Sequence, residues 1–193
     1  MMQGGVPLLC GLCLLFSSSH AAVLHGKYVS ILIGDKTFDV TKFGARGDGK
    51  HDDTSSIQDA FQAAANASGG TVLFPSGGSF MTRALQFQSS NTAINVEAGA
   101  QILFDDDHTK YDPQSGDLIT SKGFNNIGLI GGGIIDGQGK KWWEKRAPGF
   151  WRPRQLYANG KNCLIQGLTF RNSPNHVLEV CVIVTLSSMF ALN

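Results

Sequence analysis

The residues best equipped for chemistry lie in two acidic clusters and one basic, aromatic segment. Asp52 and Asp53 are adjacent carboxylates, and Asp105, Asp106 and Asp107 run directly into His108. Paired carboxylates can divide acid and base work between them, and clustered oxygens suit a hard cation such as Ca²⁺. A Ca²⁺ site needs about six to eight oxygen ligands, so the run 105–107 reads as a solvated loop and no metal site is assigned. Asp52 and Asp53 stand just before a helical pattern. There their charge meets the positive end of the helix dipole, which explains them without catalysis. The segment from Lys140 to Arg154 carries Lys140, Lys141, Lys145, Arg146, Arg152 and Arg154 against Glu144, together with Trp142, Trp143 and Trp151. Such a loop would attract a polyanion. Its tryptophans read best as anchors that pack the loop onto the body of the protein. Arg152 and Arg154 are left as candidate ligand contacts. His176, in a strand-like stretch, reads as structural. No nucleotide-binding loop, zinc-ligand spacing or serine-hydrolase elbow occurs.

The elements that must position these residues follow from composition and spacing. The 193 residues carry 16 Lys and Arg against 15 Asp and Glu, a formal net charge of +1. No whole-chain field draws the protein to nucleic acid or an acidic surface. A charged fraction of 16% with a hydrophobic fraction of 42% argues against disorder. The 24 glycines are nearly twice the usual share of about 7%. With many Val, Ile, Leu and Phe residues, they point to short strands joined by tight turns.

One helix is expected. Ser55 with Gln58 has the form of a capping box; Ile57, Ala60, Phe61 and Ala64 follow at helical spacing; Gly69-Gly70 closes the pattern. After Thr71 no further helix is expected, and apolar runs of a few residues recur instead. Asn91, Asn126 and Asn162 each stand just before such a run, 35 and 36 residues apart. Aligned on those asparagines, the segments look like rungs of one stack, with side loops at 105–117 and 140–154. That pattern suggests a parallel β-solenoid, and spacing alone leaves an antiparallel sandwich open.

The N-terminus reads as a targeting signal. Val6 to Phe16 is apolar, a polar stretch follows, and Ala21 and Ala22 suit cleavage, so residues 1–21 are expected to be a signal peptide. The run is shorter than the roughly 20 residues a membrane span requires. The expected location is therefore secreted, extracellular or in the cell wall. Removal of Cys10 and Cys13 leaves Cys163 and Cys181, which could pair in an oxidising compartment. Asn66-Ala67-Ser68 is a glycosylation sequon.

Longer motifs carry a family resemblance. Phe38 to Gly49 with Asp52-Asp53-Thr54 resembles the opening signature of pectin-lyase-like β-helix proteins. Gly131-Gly132-Gly133-Ile134-Ile135-Asp136-Gly137-Gln138-Gly139, with Trp142-Trp143, is narrower and resembles glycoside hydrolase family 28, the polygalacturonases. Arg152-Pro153-Arg154 and Gly167-Leu168-Thr169-Phe170-Arg171-Asn172-Ser173-Pro174 fit the same family in the same order. The resemblance spans about Thr37 to Val180. It implies an all-β fold, a right-handed parallel β-helix with one N-terminal capping helix, that hydrolyses α-1,4-galacturonan of pectin with inversion. An acidic polysaccharide is then the expected partner, with no nucleic acid, no membrane span and no cofactor; the complete protein would be a monomer.

Inverting glycosidases hold an acid and a base about 6.5–9.5 Å apart. The family draws these from an Asn-Thr-Asp motif and an Asp-Asp pair, and adds Gly-His-Gly and Arg-x-Lys, all downstream of Asn-Ser-Pro. This sequence has no Asn-Thr-Asp, Gly-His-Gly or Arg-x-Lys, and its Asp-Asp pairs precede that point. No catalytic residue is therefore carried over. Residues 181–193 read as a divergent tail, with the C-terminal rungs missing and the chain truncated before the catalytic motifs. Two other readings stay open: a secreted, non-catalytic β-helix protein that binds acidic polysaccharide, and a polysaccharide lyase of the same fold.

Overall fold

The computed structural model describes residues 21–25, 30–111, 113, 117–145, 150–180 and 184–186. A short hairpin comes first, β1 (Ala21–His25) against β2 (Ser30–Gly34). The chain then winds in coils. The first lays down β3 (Thr37–Asp39) and β4 (Asp48–Asp52) and ends in helix α1 (Thr54–Asn66). The second carries β5 (Gly70–Phe74), β6 (Ser79–Thr82) and β7 (Leu85–Gln86). The third carries β8 (Thr92–Val96), β9 (Gln101–Phe104) and β10 (Ile119–Lys122). The fourth carries β11 (Ile127–Gly131), β12 (Ile134–Asp136), a short helix α2 (Lys140–Glu144) and β13 (Leu156–Asn159). The fifth carries β14 (Cys163–Gln166), β15 (Thr169–Arg171) and β16 (Leu178–Val180), and β17 (Val184–Leu186) follows.

Three walls result. Wall one is the sheet β3-β5-β8-β11-β14-β17, wall two is β4-β6-β9-β12-β15, and wall three is β7-β10-β13-β16. Every pairing within the walls is parallel. Parallel neighbours joined by a crossover take the right-handed path, and the fold is a right-handed parallel β-helix. The stack continues past Val180, because Val184–Leu186 pairs with Cys163–Ile165.

The register builds the core as columns. Val72, Ile94, Leu129 and Ile165 align in wall one, and Phe80, Ile102, Ile135 and Phe170 in wall two. All are buried. Successive side chains of a strand face opposite ways, so a slip of one residue would turn a column out to water.

Helix α1 plugs the N-terminal end with the expected face: Ile57, Ala60, Phe61 and Ala64 are buried. Its ends differ from the sequence reading. The helix opens at Thr54, one residue before Ser55, so Ser55 is already helical and forms no capping box. Asp52 caps it instead, accepting from the Thr54 N–H at 3.0 Å. Asp53 is buried, and its carboxylate accepts from the N–H groups of Arg46 at 2.8 Å and Gly47 at 3.0 Å. Gln58 reaches across to the backbone of Gln86, accepting from its N–H at 3.1 Å. At the other end the left-handed step falls on Ser68 (φ 64°), the Gly69 N–H donates to Ala64 at 2.8 Å, and Gly70 already opens β5. Helix α2 was not expected. It has five residues, too few for a periodicity to show. The hairpin is a further addition, since Ile31 and Ile33 of β2 pack on the outside of wall one against Ala93 and Leu164. Of the expected signal peptide, residues 1–20 lie outside the described residues, and Ala21 opens β1.

The asparagines are rungs, as their spacing suggested. Asn91, Asn126 and Asn162 all take left-handed backbones, with φ of 58°, 55° and 60°. Asn126 Nδ2 donates to Asn91 Oδ1 at 2.7 Å, and Asn162 Nδ2 donates to Asn126 Oδ1 at 2.9 Å. Asn126→Gly keeps the turn but drops the ladder, whereas Asn126→Ala loses both. Chemical denaturation should rank stability as native, then N126G, then N126A, with about 2 kcal/mol or more lost in N126A. Three coinciding unfolding curves would remove the ladder from the account.

Candidate functional site

Wall two ends in a buried charge. Asp136 closes β12 and is 5% exposed. From the next coil, Arg171 Nε donates to its Oδ2 at 2.7 Å and Asn172 Nδ2 donates to its Oδ1 at 3.0 Å. The Gln138 N–H donates to the same Oδ1 at 2.9 Å. Gln138 Nε2 reaches back one coil to the Phe104 carbonyl at 2.6 Å. A buried carboxylate is tolerable only when so partnered.

The glycines of Asp136-Gly137-Gln138-Gly139 are required by close approach. A Cβ on Gly137 would lie 2.7 Å from the Asn172 carbonyl oxygen and 2.8 Å from Pro174 Cδ. One on Gly139 would lie 2.8 Å from the carbonyl oxygens of Asn172 and Ser173. The Gly139 N–H donates to Asn172 O at 2.8 Å. The two motifs, Asp-Gly-Gln-Gly and Arg-Asn-Ser-Pro, are thus the two sides of one inter-coil contact.

The loops after β9 and β12 pack on each other. Trp142 of α2 is 1% exposed, with Tyr111, Trp151, His108 and Phe150 rings centred 5.3, 6.1, 6.2 and 6.3 Å away. Burial pushes the Tyr111 phenol well above its ordinary range, and its hydroxyl donates to Asp105 O at 2.8 Å. Trp142 is the anchor the sequence suggested. Trp143 is not: it is 37% exposed, and its Nε1 donates to Ser173 O at 3.0 Å.

The acidic run is also not the solvated loop expected. Asp105 is 6% exposed and pairs with Lys110 Nζ at 2.6 Å; Asp106 pairs with Lys141 Nζ at 2.9 Å. Asp107 caps the turn 108–110, and the Thr109 hydroxyl, then its N–H, hold the carboxyl below the usual carboxylate range. Among the described residues no cluster of three or more His, Cys, Asp or Glu is placed to hold a metal ion. Nor is any helix there long and apolar enough to cross a membrane.

Between these parts lies a cleft of about 410 Å³, lined by Asp106, Asp136, Gln138, Lys140, Lys141, Trp143 and Asn172. Sequence reasoning had singled out its lysines and Trp143 as members of one loop. It missed Asn172, Gln138 and Asp136 as site residues, although all three stand in the quoted motifs.

Arg152 and Arg154 lie elsewhere. Arg154 forks Asp117 through Nε and an Nη, both at 2.8 Å, and its other Nη meets Glu179. Its guanidinium lies 4.7 Å over the Tyr157 ring, and these partners raise its pKa, the Asp117 hydrogen bond most. Arg154 therefore braces three successive coils along wall three. Arg152 is half-buried, and its carbonyl accepts from Asn175 Nδ2 at 3.2 Å. His176 is exposed, and its carbonyl accepts from Ser173 Oγ and the Gln155 N–H. Asn66 is exposed at the end of α1. Cys163 is buried with a free thiol, and Cys181 lies outside the described residues.

Known proteins resemble the chain in sequence and in fold. Residues 65–189 match the family model for glycosyl hydrolases family 28. The chain belongs to this family. A probable polygalacturonase of Arabidopsis thaliana is 33% identical over 170 residues, covering 84% of this chain and 36% of that protein. An exopolygalacturonase of Zea mays is 32% identical over 113 residues, covering 58% of this chain and 27% of its own length. The chain thus spans about a third of the length of these curated relatives. The hyperthermoactive exopolygalacturonase of Thermotoga maritima superposes with a TM-score of 0.69 at 20% identity, over 84% of this chain and 48% of that one. That likeness concerns the fold.

Burial pushes the Cys163 thiol up to about 12, against roughly 8.5 for a free cysteine. A raised folded value favours the protonated form, so its stabilisation is complete below about pH 8.5 and is lost as pH rises toward 12. Urea midpoints should fall over that window, and the fall should be shallower in Cys163→Ala. Parallel slopes would show that Cys163 titrates alike in both states.

Proposed function

We propose that the protein acts on pectin as a polygalacturonase-type glycosidase of the cell wall, reached by secretion, and that inversion is its stereochemical course. The observation that carries this is the Asp136–Arg171–Asn172 contact, which joins two family motifs across adjacent coils of a β-helix. Beside it the surface offers cations to a polyanion: Lys140 is exposed on the loop that bears Trp143.

The chemistry divides. Inverting hydrolysis needs an acid and a base about 6.5–9.5 Å apart. Asp105 and Asp106 are bound by lysines, Asp107 and Asp52 cap turns, and Asp53 and Asp136 are buried under N–H donors. The 193 residues contain none of the family's Asn-Thr-Asp, Gly-His-Gly or Arg-x-Lys motifs. The carboxylates named here therefore supply scaffold, and the proposed hydrolysis needs those motifs as well. The second reading, a non-catalytic binder of acidic polysaccharide, is favoured by the same missing motifs.

Co-sedimentation with polygalacturonate at low and high salt tests this. Binding that weakens with salt is expected, with no new reducing ends from this chain and cleavage by a longer protein bearing the motifs. No binding at any salt would sink the pectin reading. Cleavage failing in the longer protein would leave the binder, and unsaturated products would identify a lyase.

A further inference from the structure

We propose that Asn66 is an N-glycosylation site, modified as the chain enters a eukaryotic secretory lumen. The proposal rests on the secretion put forward above and adds a covalent modification to it. Asn66-Ala67-Ser68 is the sole Asn-x-Ser or Asn-x-Thr sequence in the 193 residues. Its middle residue is not proline, as the transfer requires.

The helix presents the acceptor to water. Asn66 is the last residue of α1, and Ile57, Ala60, Phe61 and Ala64 turn one face of that helix into the core. Ser55, Asp59, Gln62 and Asn66 are all exposed, at spacings of four, three and four residues. Residues so spaced share a face of a helix, so Asn66 ends the stripe that looks away from the solenoid. A glycan there extends into solvent and displaces no packed side chain. The hydrogen bonds agree. Gln62 Nε2 donates to Asn66 Oδ1 at 3.1 Å, which engages the oxygen of the amide. Its nitrogen, the atom that would be modified, has no acceptor among the described residues.

Ser68 supplies an independent observation. Its backbone is left-handed, with φ 64°, a conformation cheap for glycine and disfavoured for a residue with a Cβ. Asn91, Asn126 and Asn162 meet the same demand with a residue type that tolerates it. Here a serine stands instead. Its N–H donates to Ala65 O at 2.9 Å, a bond that any residue but proline could make. Its side chain is exposed, and the hydroxyl has no partner among the described residues. The fold therefore draws nothing from this hydroxyl. Glycosyl transfer does, since a hydroxyl two residues past the asparagine is the other half of the sequon. Strain in a non-glycine residue without a structural return is a pointer to function.

The donor is an oligosaccharide carried on a polyisoprenyl pyrophosphate. Asn66 Nδ2 bonds to C1 of its first sugar, and the C1–O bond to the pyrophosphate breaks. The departing oxygen keeps the electron pair, and the amide nitrogen gives up one proton. The product retains the Asn66 carbonyl, so the bond from Gln62 survives the modification.

The test is cell-free translation of the full chain with endoplasmic-reticulum microsomes. Protease protection reads entry, and gel mobility before and after endoglycosidase H reads the glycan. The wild type should be protected and migrate one glycan more slowly, with the shift removed by the enzyme. Asn66→Gln and Ser68→Ala should be protected and lose the shift, and Ser68→Thr should keep it. None of these readings needs a folded variant. A protected wild type without the shift, or a shift that persists in Asn66→Gln, would overturn the site and spare secretion. A wild type left open to protease would overturn both.

Discussion

Every strand of the three walls is two to five residues long, and none could persist alone. Nucleating so short a strand yields too few hydrogen bonds to offset the ordering of its backbone. Stability therefore resides between coils, in the parallel register of each strand with the strand above and below. Everything else in the molecule serves that register. The columns of Val, Ile, Leu and Phe set it through burial, and the asparagine ladder sets it at the corner between walls three and one.

Two buried aspartates do the same on either side of the long loops. Asp136 is bound from the following coil by Arg171 and Asn172, and Asp117 is bound from the following coil by Arg154. Replacing either carboxylate would leave a guanidinium partly stripped of water and unpaired, which is costlier than the pair is favourable. Such nodes act less as adhesive than as index marks: a coil shifted by one residue cannot make them. This is the physical content of the family motifs, whose glycines mark where the next coil's backbone comes too close for a side chain.

Much of this was legible in the residues. The similar spacing of Asn91, Asn126 and Asn162, 35 and 36 residues, disclosed the rungs because left-handed turns favour asparagine and a stack must repeat them. The apolar face of α1 disclosed the cap. The losses have physical causes. The capping box at Ser55 failed because the helix opens one residue earlier, at Thr54, whose N–H and hydroxyl donate to Asp52. Trp142 and Trp143 parted company because adjacent helical residues point about 100° apart, so only one can face the core. Asp105 looked solvated because its partner Lys110 and the Tyr111 above it assemble only when the loop closes. Hairpin packing by Ile31 and Ile33 on wall one left no signal, since it depends on small residues at Ala93 and Gly128 in two separate coils.

The cleft follows from the stacking itself. In a solenoid, insertions at the same corner of successive coils must lie one above the other. The loops after β9 and β12 leave wall two at equivalent positions, since Leu103 pairs with Asp136. Trp142 fills the space between them and so spreads the 105–111 segment over α2. Its neighbour Trp143 is thereby turned outward, toward the same corner where Asp136, Gln138 and Asn172 are already fixed by the register. Rigid walls and adaptable loops thus meet at one line. Polar groups on that line are positioned by backbone hydrogen bonds of the coils, so a ligand there would meet a surface made before it arrives.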